Sequence, residues 1–299
     1  MPIPLSKLDT WAHQGGTTAS SAAYASIRHA LLKSTSPLAG RDVDIFLQGS
    51  YGNSTNIYGD SDVDVVVLYG DTFGRDLSRL PLAQQQLHEL LFPPATYRWE
   101  DLRKDVFSAL HSHYGSSAVR FGSKSIKVDT GTGHRTSDVV PAVRFRRYAT
   151  FTDRNKYTGH WGILFFDLAN NPIVNYPKYH IERGEDKNQA ARTAGQYKAT
   201  VRIFKNLRNH LTDHGLLGDS VAPSYYIECA LHNVPDGLFV GQFSTAVPAI
   251  LNYLLYTPYA GFLAQNGVTT LIGNGPTQWS ANDFSTFVVA AQSGWDNWN

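Results

Sequence analysis

Cysteine is almost missing from this chain: Cys229 is the single one in 299 residues. That excludes an intrachain disulfide and any zinc site built on thiolates. Its setting, YYIECALHNV, reads as a buried helix in which a free thiol behaves as a small apolar side chain. An excess of one charge is missing too. A formal net charge of +1 argues against a dedicated binder of long nucleic acid, which selects strongly basic surfaces. A small anionic substrate needs only a local basic pocket. No apolar run is long and clean enough to cross a bilayer. AVPAILNYLLYTPYAGFLA is broken by Asn252, Pro258 and several tyrosines, and it reads as a core helix pair. The opening MPIPLSKLDT has neither a basic n-region nor an apolar h-region, so the expectation is no signal peptide, no membrane and a cytoplasmic protein.

Several chemical signatures are absent as well. There is no G-x-x-x-x-G-K-[ST], no G-x-G-x-x-G and no G-x-S-x-G, which leaves P-loop, Rossmann and α/β-hydrolase readings without support. His111 and His113 stand two apart on a predicted helix and point in different directions, while His134 and His160 have no partner at metal spacing. No zinc site is expected.

What is present is a folded chain, 42% hydrophobic and 17% charged, long enough for one large domain or two smaller ones. The apolar spacing of residues 17–33 predicts a helix, and the alternation of Asp42 to Gln48 predicts a strand. Val63 to Tyr69 is a nearly continuous apolar strand, as expected when both faces are covered. Helices are predicted over Leu82–Leu91 and Trp99–Tyr114. Two strands follow, Ala118–Asp129 and His134–Tyr148, joined across the glycines of DTGTGH, and then a hairpin of Trp161–Leu168 with Ile173–Asn175. From Asn188 the pattern turns helical, so the best boundary lies near ERGEDKN. The closing GWDNWN is too short and polar to interpret.

The chain is organised around FLQGSYGNSTNIYGDSDVDVVVLY, Phe46 to Tyr69. Side chains alternate across a strand, so Asp62 and Asp64 share a face while Val63 points to the core. Paired carboxylates repel each other, and hard divalent cations are the usual neutralising partner. Gly49 permits close backbone approach, and the N–H groups after it suit a phosphate. A phosphate cradle shortly before a D-x-D strand is the layout of a two-metal phosphoryl-transfer site. An isolated D-x-D is more often a turn or surface pair, but its combination with the Gly-Ser turn removes most of that alternative. Asp60, after Gly59, reads as a turn residue. A third carboxylate would come from Asp129, Asp138, Asp153 or Asp167. Asp138 in RTSDVVPAV stands where a strand enters the core, whereas Asp129 adjoins the glycine turn.

This stretch resembles the nucleotidyltransferase superfamily, marked by G-S followed by D-x-D on the next strand. Within it the wording is most similar to the bacterial CD-NTases, synthases of cyclic oligonucleotides related to animal cyclic GMP-AMP synthase, and to their CdnE-type cyclic dinucleotide synthases in particular. The resemblance spans nearly the whole chain, through WAHQGG, the GS/D-x-D core, SDVVPAV, NYPKYH, YKATVRIFK and PSYYIECALHNVPD. It implies an α+β fold: a polymerase-beta-like mixed-sheet core with an N-terminal helix over residues 1–185, and a helical bundle over 186–299 that closes the nucleotide cleft. It implies that Asp62, Asp64 and Asp138 are catalytic and hold two Mg²⁺ ions, for which Mn²⁺ can substitute. It also implies that Gln48, Gly49 and Ser50 bind nucleotide. The product would be a cyclic dinucleotide made from nucleoside triphosphates, UTP and ATP foremost, with release of pyrophosphate. Its role would be that of a second messenger in bacterial antiphage defence, with a regulatory protein partner conceivable.

Other positions carry two readings. Lys198, Arg202, Lys205 and Asn209 form a polar stripe on a predicted helix from Asn188, and such a stripe is usually a solvated face. The matching pattern of the family uses lysine on the triphosphate, which makes Lys198 and Lys205 candidate phosphate ligands with charge-assisted bonds. Arg202 could instead brace an acid. Ser224 and Tyr225 could meet ribose or phosphate and stack on a base, or serve as a helix cap and core. Glu228 reads as a core glutamate paired with Arg202 or Arg208. Asn175 is a turn residue taken alone, but the resemblance associates it with a preference for uracil. Two alternatives stay open: a nucleotidyltransferase acting on RNA, a small molecule or a protein, and a catalytically silent nucleotide sensor. Against the sensor, a mere binding module has no use for three mutually repelling carboxylates.

Overall fold

The computed structural model describes residues 2–59, 62–129 and 136–298. Its helices are α1 (Leu5–Ala12), α2 (Thr18–Leu32), α3 (Gly49–Gly52), α4 (Leu82–Leu91), α5 (Trp99–Tyr114), α6 (Pro177–Lys187), α7 (Ala190–Thr193), α8 (Tyr197–Asp213), α9 (Ser224–His232), α10 (Phe243–Tyr256) and α11 (Ala281–Asp296). Its strands are β1 (Val43–Leu47), β2 (Val63–Asp76), β3 (Val119–Phe121), β4 (Ile126–Val128), β5 (Ser137–Asp153), β6 (Lys156–Phe166) and β7 (Pro172–Asn175). The chain divides into two compact units: residues 17–48 with 61–177, and residues 1–16 with 49–60 and 178–299.

The first unit is a mixed sheet in the order β1-β2-β5-β4-β3, with β6 on the far part of β5 and β7 beside β6. Among the described strands, only β2 and β5 run parallel. Val65 to Val67 of β2 and Val139 of β5 are fully buried, as their unbroken apolar runs predict. The helix α5 lies on β5, fixed by the Trp99 indole, which donates to the Pro141 carbonyl at 2.7 Å. The α+β class is as expected, with differences in detail. Ala118–Asp129 is two short strands, β3 and β4, turning through residues 122–125. The Gly122 N–H donates to the Ser125 carbonyl at 2.8 Å, and that local bond folds the run back on itself. The other expected turn, DTGTGH, lies mostly outside the described residues, as do His134 and Asp60.

The second unit is helical around a core of α1, α8, α9, α10 and α11, with Leu8, Val201, Phe204, Ile227, Ile250 and Phe287 at most 1% exposed. The expected helix from Asn188 is interrupted, because Ala194 and Gly195 adopt φ of +52° and +75° and separate α7 from α8. The expected helix pair is a single helix, α10, whose backbone turns extended at Thr257 just before Pro258. GWDNWN contributes the last turn of α11, an amphipathic helix whose N-cap is the Ser280 hydroxyl accepting from the Asp283 N–H at 3.0 Å. Residues 1–16 and 49–60 group with the C-terminal helices, whereas the two-domain expectation placed them with the core.

Candidate active site

Asp64 on β2 and Asp138 on β5 are register partners in the parallel ladder, and Val63 stands opposite Ser137. Partners in register share a face of the sheet at the interstrand spacing of about 5 Å, so two carboxylates project side by side from the central strands. Asp62 precedes β2 by one residue, and its carboxylate accepts from the Thr136 hydroxyl. Asp64 and Asp138 are half-buried while Val63 and Val65 are sealed, the alternation expected where a strand leaves the core.

Two residues that no sequence motif singled out complete this face. Lys127, opposite Asp138 on β4, donates to both Asp138 oxygens at 3.0 and 3.3 Å, and the Ser125 hydroxyl donates to one of them at 2.8 Å. They were missed because they come from a hairpin read as one strand. As the side chains stand, no group of three His, Cys, Asp or Glu among the described residues is gathered round a metal-sized gap. The donor set is nonetheless that of a hard cation: carboxylate oxygens side by side, one already answered by an ammonium. The competing acids serve turns. Asp153 accepts from the Asn155 N–H, and Asp167 accepts from the Asn171 side-chain amide and from the Asn171 and Ala169 N–H groups, bonds that hold its carboxyl below the usual range. Asp129 is exposed just after β4.

The backbone N–H of Gln48 donates to the Asp64 carbonyl at 2.9 Å, so the residue entering the Gly-Ser turn is tied to the D-x-D strand. Gly49 then takes φ +61°, a conformation that L side chains rarely adopt, and opens the single turn α3. Gly49 and Ser50 are half-buried.

In the helical unit the polar stripe of α8 is not solvated. Lys205 is fully buried and donates to the Thr55 carbonyl at 2.8 Å; Lys198 is 7% exposed and pairs with Glu185. Arg202 bonds no acid among the described contacts and donates instead to the carbonyls of Ala12 and Ser54, at 2.6 and 2.7 Å. Glu228 is not the partner of Arg202 or Arg208. Its ion-pair partner is His180, at 3.0 Å. Ser224 opens α9 as a helical residue, not as its cap, and accepts from Arg208 at 3.2 Å. Tyr225 is 39% exposed and stacks on the His180 ring, with centroids 5.2 Å apart. Asn175 is half-buried at the end of β7, opposite Ile163.

Comparison with known proteins supplies the context for these groups. A family described as the cGAS/DncV-like nucleotidyltransferase C-terminal helical domain matches residues 182–296. The chain is 39% identical to the "Cyclic UMP-AMP synthase" of Rhodothermus marinus over 100% of this chain and 99% of that one. It is 37% identical to the "Cyclic nucleotide synthase CdnE01" of Staphylococcus haemolyticus, over the full length of both. The Rhodothermus marinus CdnE c-UMP-AMP synthase, solved with Apcpp and Upnpp, superposes with a TM-score of 0.89 at 38% identity, covering 100% of this chain and 98% of that one. The Elizabethkingia meningoseptica CdnE cyclic dinucleotide synthase, solved with GTP and Apcpp, superposes with a TM-score of 0.78 at 26% identity over 96% of this chain and 97% of that one.

Proposed function

Since the chain belongs to the CD-NTase family of cGAS/DncV-like nucleotidyltransferases, we propose that it joins UTP and ATP into cyclic UMP-AMP. It is an enzyme, a nucleotidyltransferase of the cyclic dinucleotide synthase class. The observation that carries the reading is the register of Asp64 against Asp138 on the parallel strands. In each of two rounds a ribose hydroxyl oxygen bonds to the α-phosphorus of a triphosphate. The bond to pyrophosphate breaks, and the hydroxyl proton is released.

Family members of this kind use divalent metal, and the oxygen donors here suit two Mg²⁺ ions, with Mn²⁺ as a substitute. Bound by Asp62, Asp64 and Asp138, such ions would neutralise the triphosphate and acidify the attacking hydroxyl. The chain's own residues do the placing. Gln48, Gly49 and Ser50 offer a backbone and hydroxyl surface for the phosphates. Lys198 adds positive charge, and Ser224 and Tyr225 contact the second nucleotide. Lys205, being fully buried, acts on the turn and not on phosphate directly.

The choice of bases is the finest part of the reading. Relatives bear names for UMP-AMP, dipyrimidine and dipurine products, so one scaffold serves several pairs. Asn175 is assigned to the uracil edge, since an amide donates and accepts side by side. The product suits a second messenger of bacterial antiphage defence made in the cytoplasm. In keeping with that, no helix among the described residues is long and apolar enough to cross a membrane. The test is mass spectrometry of the products made from all four nucleoside triphosphates, before and after phosphatase. A phosphatase-resistant UMP-AMP ring is expected. A homo-dinucleotide would overturn the base pair, and a label incorporated into RNA or protein would overturn the reaction.

A further inference from the structure

We infer that Glu228 and His180 are positioning residues for the nucleotide site, holding the Gly-Ser turn in its phosphate-binding shape from within the helical unit. The inference rests on the reading of Gly49 and Ser50 as nucleotide-binding. Glu228 sits on α9 at 3% exposure, and its two oxygens are divided between the turn and its counter-ion. One accepts from the Thr55 hydroxyl at 2.5 Å. The other accepts from the Asn53 amide at 2.8 Å and faces the His180 imidazole nitrogen at 3.0 Å.

Ser54, the residue between, takes φ +57° and gives its carbonyl to Arg202, while the Thr55 carbonyl goes to Lys205. Three successive residues are thus gripped by Arg202 and Lys205 of α8 and Glu228 of α9. The grip reaches the turn through the backbone: the Asn53 N–H donates to the Gly49 carbonyl at 3.0 Å, and the Thr55 N–H to the Ser50 carbonyl at 2.9 Å. A buried ion pair is a poor device for stability alone, because apolar residues of the same volume often do as well. Its directional bonds are, however, well suited to fixing one backbone geometry. A loop that carried a triphosphate with its main chain would lose affinity if it relaxed by even a fraction of an ångström.

The experiment compares wild type, Glu228→Gln, Thr55→Val, their double variant and Thr55→Ser, well below each melting temperature. It reads the Kd of a non-hydrolysable ATP analogue and, separately, KM and kcat for ATP and UTP. We expect Glu228→Gln to weaken analogue binding about tenfold and Thr55→Val somewhat less. The double variant should be no worse than Glu228→Gln alone, because both act through one contact. Thr55→Ser, which keeps the hydroxyl, should bind as wild type does. Losses should fall on KM more than on kcat. Variants that melt lower yet bind the analogue normally would overturn the inference, as would losses that multiply in the double variant. Should Glu228→Gln fail to fold, Thr55→Val against Thr55→Ser decides the matter. Wild type that binds triphosphate but makes no cyclic product would refute the proposed reaction and leave this inference standing. Wild type that binds none would refute both.

Discussion

In the sheet unit His88 is fully buried among the rings of Phe73, Phe92, Tyr148 and Phe151, and neither ring nitrogen has a hydrogen-bond partner among the described residues. Burial first, then the nearby Arg75 and Arg146, push its pKa down to about 4. In the helical unit His180 is 5% exposed, and burial again opposes its charge. There the Cys229 and Glu228 side chains prevail and hold the ring up to about 9. The same side chain at similar depth is therefore neutral beside Arg75 and Arg146 and charged beside Cys229 and Glu228. The difference extends beyond histidine. The sheet unit leaves its carboxylates half-exposed at strand ends, whereas the helical unit buries Glu228, Lys187 and Lys205 and must pair each one.

Removing a carboxylate should therefore leave stability nearly unchanged in the sheet unit and lower it markedly in the helical one. Asp64→Asn should lower turnover by about 10³-fold or more while shifting the melting temperature little, since the carboxylate is half-buried at a strand end beside that of Asp138. Surviving turnover would show that the sheet face is not the reacting centre. Glu228→Leu should cost about 3–5 kcal/mol in urea unfolding, because it removes the buried carboxylate that pairs with His180 and accepts from Asn53 and Thr55.

Two smaller effects sharpen the comparison through pH. His88 is depressed in the folded state, so the unfolded chain takes up its proton first as pH falls. Its contribution is complete above about pH 6.5 and disappears as pH falls toward about 4, a loss of at most about 3 kcal/mol. His88→Phe should flatten that acid limb of the melting curve. His180 has the opposite sign: its contribution is complete below about pH 6.5 and is lost as pH rises through about 9. This alkaline limb should match the acid one in size, since the two net shifts are alike and opposite in sign. It should shrink in Glu228→Gln, which removes one of the two groups that hold the ring charged.

Legibility in the sequence followed the same divide. Helices α4 and α5 begin and end where their apolar spacing and flanking residues place them. The juxtaposition of Asp64 with Asp138 was inferable because each acid stands at the mouth of a valine-rich strand, a local pattern. Lys127 and Ser125 were not legible, because their relevance depends on a short hairpin closing beside β5. The α8 stripe misled for a related reason. Periodicity assigns Lys198 and Lys205 to one face of a helix but cannot tell whether that face meets water or another segment.

By itself the amino-acid order determined the α+β character, the acid pair and the family kinship, all of which reside in short-range patterns of apolar alternation and motif spacing. Only the folded chain decided which charges are buried and with whom they pair: Glu228 with His180, Asn53 and Thr55, and Asp138 with Lys127. The physical reason is range. Secondary structure answers to neighbours a few residues away, whereas the protonation and partners of a buried group depend on whatever distant residue fills the space beside it.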